Sequence, residues 1–278
     1  MTESGLIAVP GGSLYYESDG SGPAVVLIHA GVANLRMWDP LVPSLSDRYQ
    51  VIRYETRGYG QTTSEHVEFS NRDDLIAVLD HLGVARATVV GASRGGMIAL
   101  DTVIEYPDRF EGLAVVGGGV GGLDLPPPSG DAEWIATAQK MWEDAEQAVE
   151  AKDWAAVAAF ETRWWVDGPG QPSDRVDPAL REMIHHWILS TYQAEKEEGI
   201  PRRLDPPAAG RLGEIDIPVL VIYGSLDEAE TGTASKYLAD NVAGARLIAY
   251  EGAAHMLTLE QPERFAADLL AFLDGGRA

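Results

Sequence analysis

There is no cysteine among the 278 residues of this chain. That excludes a disulfide framework, a thiolate metal site and a cysteine nucleophile, and it suits a cytoplasmic setting. No apolar run approaches the roughly 18 residues that a membrane span needs. The first ten residues hold an acidic side chain and no basic one, so they do not read as a signal peptide. Basic residues are scarce: 21 Lys and Arg stand against 43 Asp and Glu, a formal charge of −22. Nucleic-acid binding rests on clustered basic side chains that neutralise phosphates, so no nucleic-acid partner is expected. Anionic membrane surfaces are disfavoured for the same reason. The acidity reads as solubility or tolerance of salt.

What is present is the composition of a globular protein with a real core, 45% of it hydrophobic. Over the first 122 residues, apolar runs at 14–16, 25–28, 51–54, 89–90 and 113–116 read as strands. Helical patterns lie near 37–45, 73–82 and 96–106. Short, unbroken apolar strands between helices imply an α/β fold with a mostly parallel sheet covered on both faces. The same grammar returns later, with strands at 219–223 and 246–250 and helices at 233–240 and 262–273. Pro262 opens the last of these at its first turn.

Residues 124–210 are different, with no convincing strand and several amphipathic stretches. One stripe runs Trp154, Val157, Phe160, Trp164. Another runs Leu180, Met183, Ile184, Trp187, Ile188, behind Asp177 as N-cap and Pro178 at the first turn. Prolines at 126–128 and 206–207 bracket the segment. The expected organisation is a core over 1–123 and 211–278 and an inserted all-helical cap over 124–210.

The chemistry centres on Gly91-Ala92-Ser93-Arg94-Gly95-Gly96, led by an apolar strand and followed by a helical pattern. A serine between glycines at a strand-to-helix turn is the context of a nucleophile elbow, where only very small neighbours fit. Acyl transfer needs a hydroxyl, a base to take its proton and donors for the developing oxyanion. Ser93 supplies the hydroxyl. His255 follows the last strand and serves as the base. Asp227 follows the strand ending at Tyr223 and fixes the imidazole tautomer, with Glu228 beside it as a competitor for that role. All three lie after the carboxyl ends of strands, where open α/β sheets place their sites. With an unperturbed histidine base, activity is expected to rise with pH near 6.5.

Along essentially its whole length, the chain resembles the α/β-hydrolase superfamily. His29-Ala30-Gly31 looks like the His-Gly oxyanion loop, Arg57-Gly58-Tyr59-Gly60 like the Arg-Gly-x-Gly turn, and 252–263 like the histidine loop and its following helix start. Residues 34–40 are locally similar to 3-oxoadipate enol-lactonases and related small esterases. The resemblance implies oxyanion donors at the backbone N–H groups of Arg94 and Gly31, the latter open to a shift onto Val32. Ala30 stands where the family usually has glycine, Glu55 where it has aspartate. Dehalogenases and epoxide hydrolases of this fold place an aspartate where Ser93 stands, so they are set aside.

Other features have plainer readings. A cation in the first turn of a helix opposes its dipole, so Arg94 is expected to pair with a carboxylate. His29 reads as a packing residue, and the run Glu195-Lys196-Glu197-Glu198 as a solvated helix face. Gly117 to Gly122 matches a dinucleotide pattern, but Pro126-Pro127-Pro128 follows instead of a helix, so no cofactor is expected there or elsewhere, nor any metal. Six of the seven tryptophans fall in the cap. Trp134, Trp142, Trp164, Trp165 and Trp187, with Val32, are candidates for the substrate pocket beside a packing role. The expected function is hydrolysis of a carboxylic ester or lactone of a small to medium hydrophobic substrate. A carbon–carbon bond hydrolase acting on a vinylogous diketone and a ligand receptor on the same fold are the rivals. A homodimer stays open.

Overall fold

The computed structural model describes residues 2–125 and 132–275, so the triple proline at 126–128 lies outside the described residues. The chain opens with an antiparallel hairpin, β1 (Glu3–Val9) and β2 (Gly12–Asp19). β3 (Ala24–Ile28) leads through a 3-10 turn at Leu35–Trp38 and α1 (Val42–Leu45) into β4 (Gln50–Tyr54). Two-residue strands β5 (Thr63–Ser64) and β6 (Glu68–Phe69) precede α2 (Asn71–His81), β7 (Ala87–Ala92), α3 (Arg94–Glu105) and β8 (Phe110–Val116). Then come α4 (Ala132–Glu150), α5 (Trp154–Glu161), a π-helical turn at Thr162–Asp167, α6 (Pro178–Gln193) and β9 (Ile200–Pro201). The chain closes with β10 (Val219–Gly224), α7 (Ala229–Asn241), β11 (Arg246–Tyr250), α8 (Leu257–Glu260) and α9 (Pro262–Gly275).

The main sheet has the order β1-β2-β4-β3-β7-β8-β10-β11, with β5 paired to β2. From β4 to β11 every neighbouring pair is parallel. Side chains alternate between two cores, as the two-residue strand period demands. Val26, Ile28, Val89, Leu113, Val115 and Val221 face α2, α3 and α7. Val25, Leu27, Val90, Ala114, Val116 and Ile222 face α1, α8 and α9. Burying each such aliphatic side chain contributes roughly 1.5–3 kcal/mol, which is why strands covered on both faces read as unbroken apolar runs. Ile184 and Ile188 of α6 and Val166 of the π turn join the second core, so the inserted helices share the apolar cluster that carries α8 and α9.

Three features differ from the sequence reading. β1 was not foreseen: its apolar run is only Leu6-Ile7-Ala8-Val9, and as an edge strand it leaves Leu6 57% exposed. The inserted segment is not purely helical: β9 pairs in parallel with β6, a two-residue ladder too short to carry any periodicity. Residues 195–198 are not a helix face either. α6 ends at Gln193, Glu195 turns with φ +43, and the Lys196 ammonium donates to the carbonyls of Gly60 and Thr62. The run is a return loop laid against the core. Among the described residues, no helix is long and apolar enough to cross a membrane.

Candidate active site

Ser93 sits between β7 and α3 with φ +53 and ψ −118, a strained conformation for a residue with a side chain. The flanking glycines explain how the turn closes. A Cβ on Gly91 would lie 2.1 Å from the Gly95 carbonyl oxygen, and one on Gly95 would lie 2.4 Å from that of Ile28. Ser93 N–H donates to Val116 O at 2.8 Å, while its own carbonyl accepts from Gly96 and Met97, anchoring the strained residue on both sides.

Asp227 and His255 arrive on the loops after β10 and β11. His255 Nδ1 lies 2.7 Å from Asp227 Oδ2, with both side chains almost fully buried. Glu228 N–H donates to the other oxygen, Asp227 Oδ1, at 2.8 Å. The carboxylate therefore fixes Nδ1 as the protonated nitrogen and leaves Nε2 as the acceptor. Burial opposes protonation of His255. The charge and hydrogen bond of Asp227, helped by Glu228 and Glu260, outweigh it and hold the imidazole above its ordinary value. Glu228 does not face the histidine nitrogen; its Oε2 accepts the Trp164 indole N–H at 2.9 Å. Burial pushes its carboxyl up from the ordinary range.

The loop after β3 is held from beneath. His29 is fully buried, and burial drives its pKa down to about 3, so the ring is neutral. Thr56 N–H donates to its Nε2 at 3.2 Å, which assigns the proton to Nδ1, 2.8 Å from Ala30 O. Ala33 N–H reaches the same carbonyl at 3.2 Å. Two donors thus fix the Ala30–Gly31 peptide plane, and in a trans peptide the Gly31 N–H points the opposite way. A Cβ on Gly31 would lie 3.9 Å from the Arg94 side chain, so this loop and the start of α3 are neighbours. Arg94 N–H, in the first turn of α3, has no intrahelical acceptor.

The Arg94 side chain departs from expectation. Among the described residues it pairs with no carboxylate; it donates to Thr56 Oγ1 and lies over the Tyr59 ring at 5.2 Å. The ring quadrupole and a hydroxyl take the place of a counter-ion. Arg57 takes the ion pair instead, buried and bidentate to Asp74 at 2.8 and 3.0 Å.

Ser93 and His255 line one cavity of about 310 Å³, with Arg94, Met97, Trp165 and Glu228 on its walls. The sequence candidates divide here. Trp165 packs its ring 4.5 Å from that of His255. Trp134, Trp142 and Trp164 instead stack with one another and with Phe160, binding α4 to α5. Trp187 and Val32 pack into the second core, and neither Trp134, Trp142, Trp187 nor Val32 lines this cavity among the described residues. Both Trp164 and Trp165 touch Trp142, but as consecutive residues of a helical turn they point to different sides, and only Trp165 lines the cavity. Gly117, set aside with the glycine run, also belongs to the cavity wall. A Cβ there would sit in ordinary contact, 3.5 Å from both Asp227 Oδ2 and His255 Nδ1; it is the left-handed φ of +57 that favours glycine.

A mostly parallel sheet with a strained serine turn between glycines at the end of β7 defines the class, and similarity agrees. The family described as alpha/beta hydrolase fold matches residues 23–262, and the chain belongs to it. It is 30% identical over 247 residues to 3-oxoadipate enol-lactonase 2 of Acinetobacter baylyi, covering 87% of this chain and 85% of that one. The enol-lactonase structure from Burkholderia xenovorans LB400 superposes with a TM-score of 0.75 at 26% identity, over 97% of this chain and 100% of that one. Est816, described as an N-acyl homoserine lactone degrading enzyme, superposes at 0.74 and 26%, over 96% and 100%.

Proposed function

We propose that this chain is a serine hydrolase that cleaves a carboxylic ester or lactone of a small to medium hydrophobic substrate through an acyl-enzyme on Ser93. The observation that carries the reading is the Asp227–His255 pair at 2.7 Å, with His255 and Ser93 on the wall of the same cavity. His255 Nε2 takes the Ser93 proton as Oγ attacks the carbonyl carbon. The Gly31 and Arg94 N–H groups receive the oxyanion. His255 then returns the proton to the leaving alkoxide, and a water, activated in the same way, releases the acid. For a lactone both products remain one molecule.

In this reading residues 124–210 form the cap that shapes the pocket, and 1–123 with 211–278 form the catalytic core. Similarity to enol-lactonases over most of the chain supports the lactone branch. The enzyme would need neither metal nor cofactor and would act in the cytoplasm. The test is labelling with a fluorophosphonate, followed by turnover of a panel of p-nitrophenyl esters and lactones. Labelling should map to Ser93 and vanish in Ser93→Ala. Turnover that survives this substitution would overturn the assignment.

A further inference from the structure

The cavity beside Ser93 has an uneven charge. Its described walls carry the carboxylates Glu228 and Glu230 at the start of α7 and one strong base, Arg94. That base is turned away: its guanidinium lies over Tyr59 and donates to Thr56, neither of which lines this cavity. The carboxylates of Asp227 and Glu230 lie near Glu228, and among the described residues no Lys or Arg pairs with it. Its side-chain hydrogen bond comes from Trp164, a neutral donor. The same cavity is also lined by Met97, Val120 and Leu123, and by the Trp165 indole against His255.

A half-buried carboxylate with no Lys or Arg partner is unfavourable until something positive enters. An indole face beside it adds attraction for the same kind of guest. We infer that Glu228 is a specificity-determining residue, and that the cavity selects esters or lactones whose apolar body carries an ammonium or other cationic group. This inference rests on the hydrolase reading above. It also gives the acidity of the site a use after the chemistry. The carboxylate product forms next to Glu228 and is repelled from it, which favours release.

The experiment compares three p-nitrophenyl esters of equal chain length, ending in methyl, trimethylammonium or carboxylate. The wild-type protein should favour the cationic over the anionic ester by about 100-fold in kcat/KM, as expected for a charge pair at partly screened range. Glu228→Gln keeps an acceptor for Trp164 and removes the charge, so it should cut that ratio at least about tenfold. Should the variant fail to fold, raising the salt concentration on the wild-type protein gives the second measurement, and the ratio should fall. An unchanged ratio in a folded Glu228→Gln protein, a salt-independent ratio, or a preference for the anionic ester overturns the inference. Fluorophosphonate labelling and turnover of the methyl-ended ester keep the two readings apart. If both are absent, the hydrolase reading itself has failed; if both are present without cation preference, only the role of Glu228 has.

Discussion

Trp164 and Glu228 are joined across the site by an indole N–H to carboxylate hydrogen bond of 2.9 Å. One belongs to the π-helical turn of the inserted segment, the other immediately follows Asp227. The contact therefore ties the inserted helices to the loop that carries the acid. Arg175 makes a second tie, donating to Gly252 O at 2.9 Å on the histidine loop and pairing with Glu260.

Trp164→Phe keeps most of the ring that packs on Phe160 and deletes the donor. Hydrogen bonds to charged groups contribute roughly 1.5–3 kcal/mol, and partial exposure of Glu228 puts this one at the low end. The expected loss is about 1–2 kcal/mol, or a fall of a few degrees in Tm for a chain of this size. Differential scanning calorimetry checks it. An unchanged Tm would mean that the contact does not hold in solution.

Asp227→Asn should lower kcat by about 10⁴-fold while leaving the fold intact, as loss of the imidazole-orienting carboxylate does in a serine triad. The mechanism is specific: an amide can donate to Nδ1 and so put the proton on the wrong nitrogen. Glu228→Gln should lower kcat for a neutral ester far less, because its oxygens do not reach His255. Measured side by side on one ester, a reversed order would assign the acid to Glu228.

The tight turn at Ser93 and its flanking glycines were legible because they depend on residues close in sequence. Strands β3, β7, β8 and β10 were legible for the same reason, since burial on both faces leaves only apolar residues. What could not be read was set by distant contacts. The Arg94 guanidinium rests on Thr56 and Tyr59, some 35 residues earlier in the chain, so no local pattern names its partner. The stripe Trp154, Val157, Phe160, Trp164 fits a regular helix, and nothing in that spacing signals the π turn at Thr162–Asp167. Gly117 could be set aside as a phosphate loop from sequence, but its φ of +57 beside Asp227 and His255 shows only in the fold.

The pH profile should be displaced from that of a free histidine. Protonated His255 cannot accept the serine proton, so kcat/KM rises with pH through the folded pKa of His255. Asp227 holds that value above 6.5, so the midpoint of the acid limb should lie above 6.5 rather than at it. Stability runs the other way. A histidine whose folded pKa is raised stabilises the fold fully below its unfolded value, and that contribution is lost as pH rises through the folded value. Removing the Asp227 charge removes the main cause of the rise, so Asp227→Asn should move the acid limb downward in its residual activity. A midpoint at or below 6.5 in the wild-type protein would contradict the electrostatic role of Asp227.

The tryptophans should separate into two groups by a paired measurement of stability and selectivity. Trp165 lies against His255 on the cavity wall, so Trp165→Leu enlarges the space next to the reacting carbonyl. It should shift the relative kcat/KM of a bulky and a small ester by about 1–3 kcal/mol toward the bulky one, the usual range for apolar discrimination. Trp142 is 39% exposed and packs edge-on against Phe160 and Trp164, holding α4 in place. Trp142→Leu removes those ring contacts and an edge contact with Trp165 at 6.4 Å, but Trp142 does not itself line the described cavity. It should lower Tm and reduce turnover of both esters by the same factor, and Trp134→Leu should behave alike because its ring stacks on Trp164. Fluorophosphonate labelling of Ser93 should survive all three substitutions, since none supplies a proton acceptor or an oxyanion donor. If Trp142→Leu changed preference and Trp165→Leu did not, the pocket would lie on the other side of the π turn, among α4 and α5.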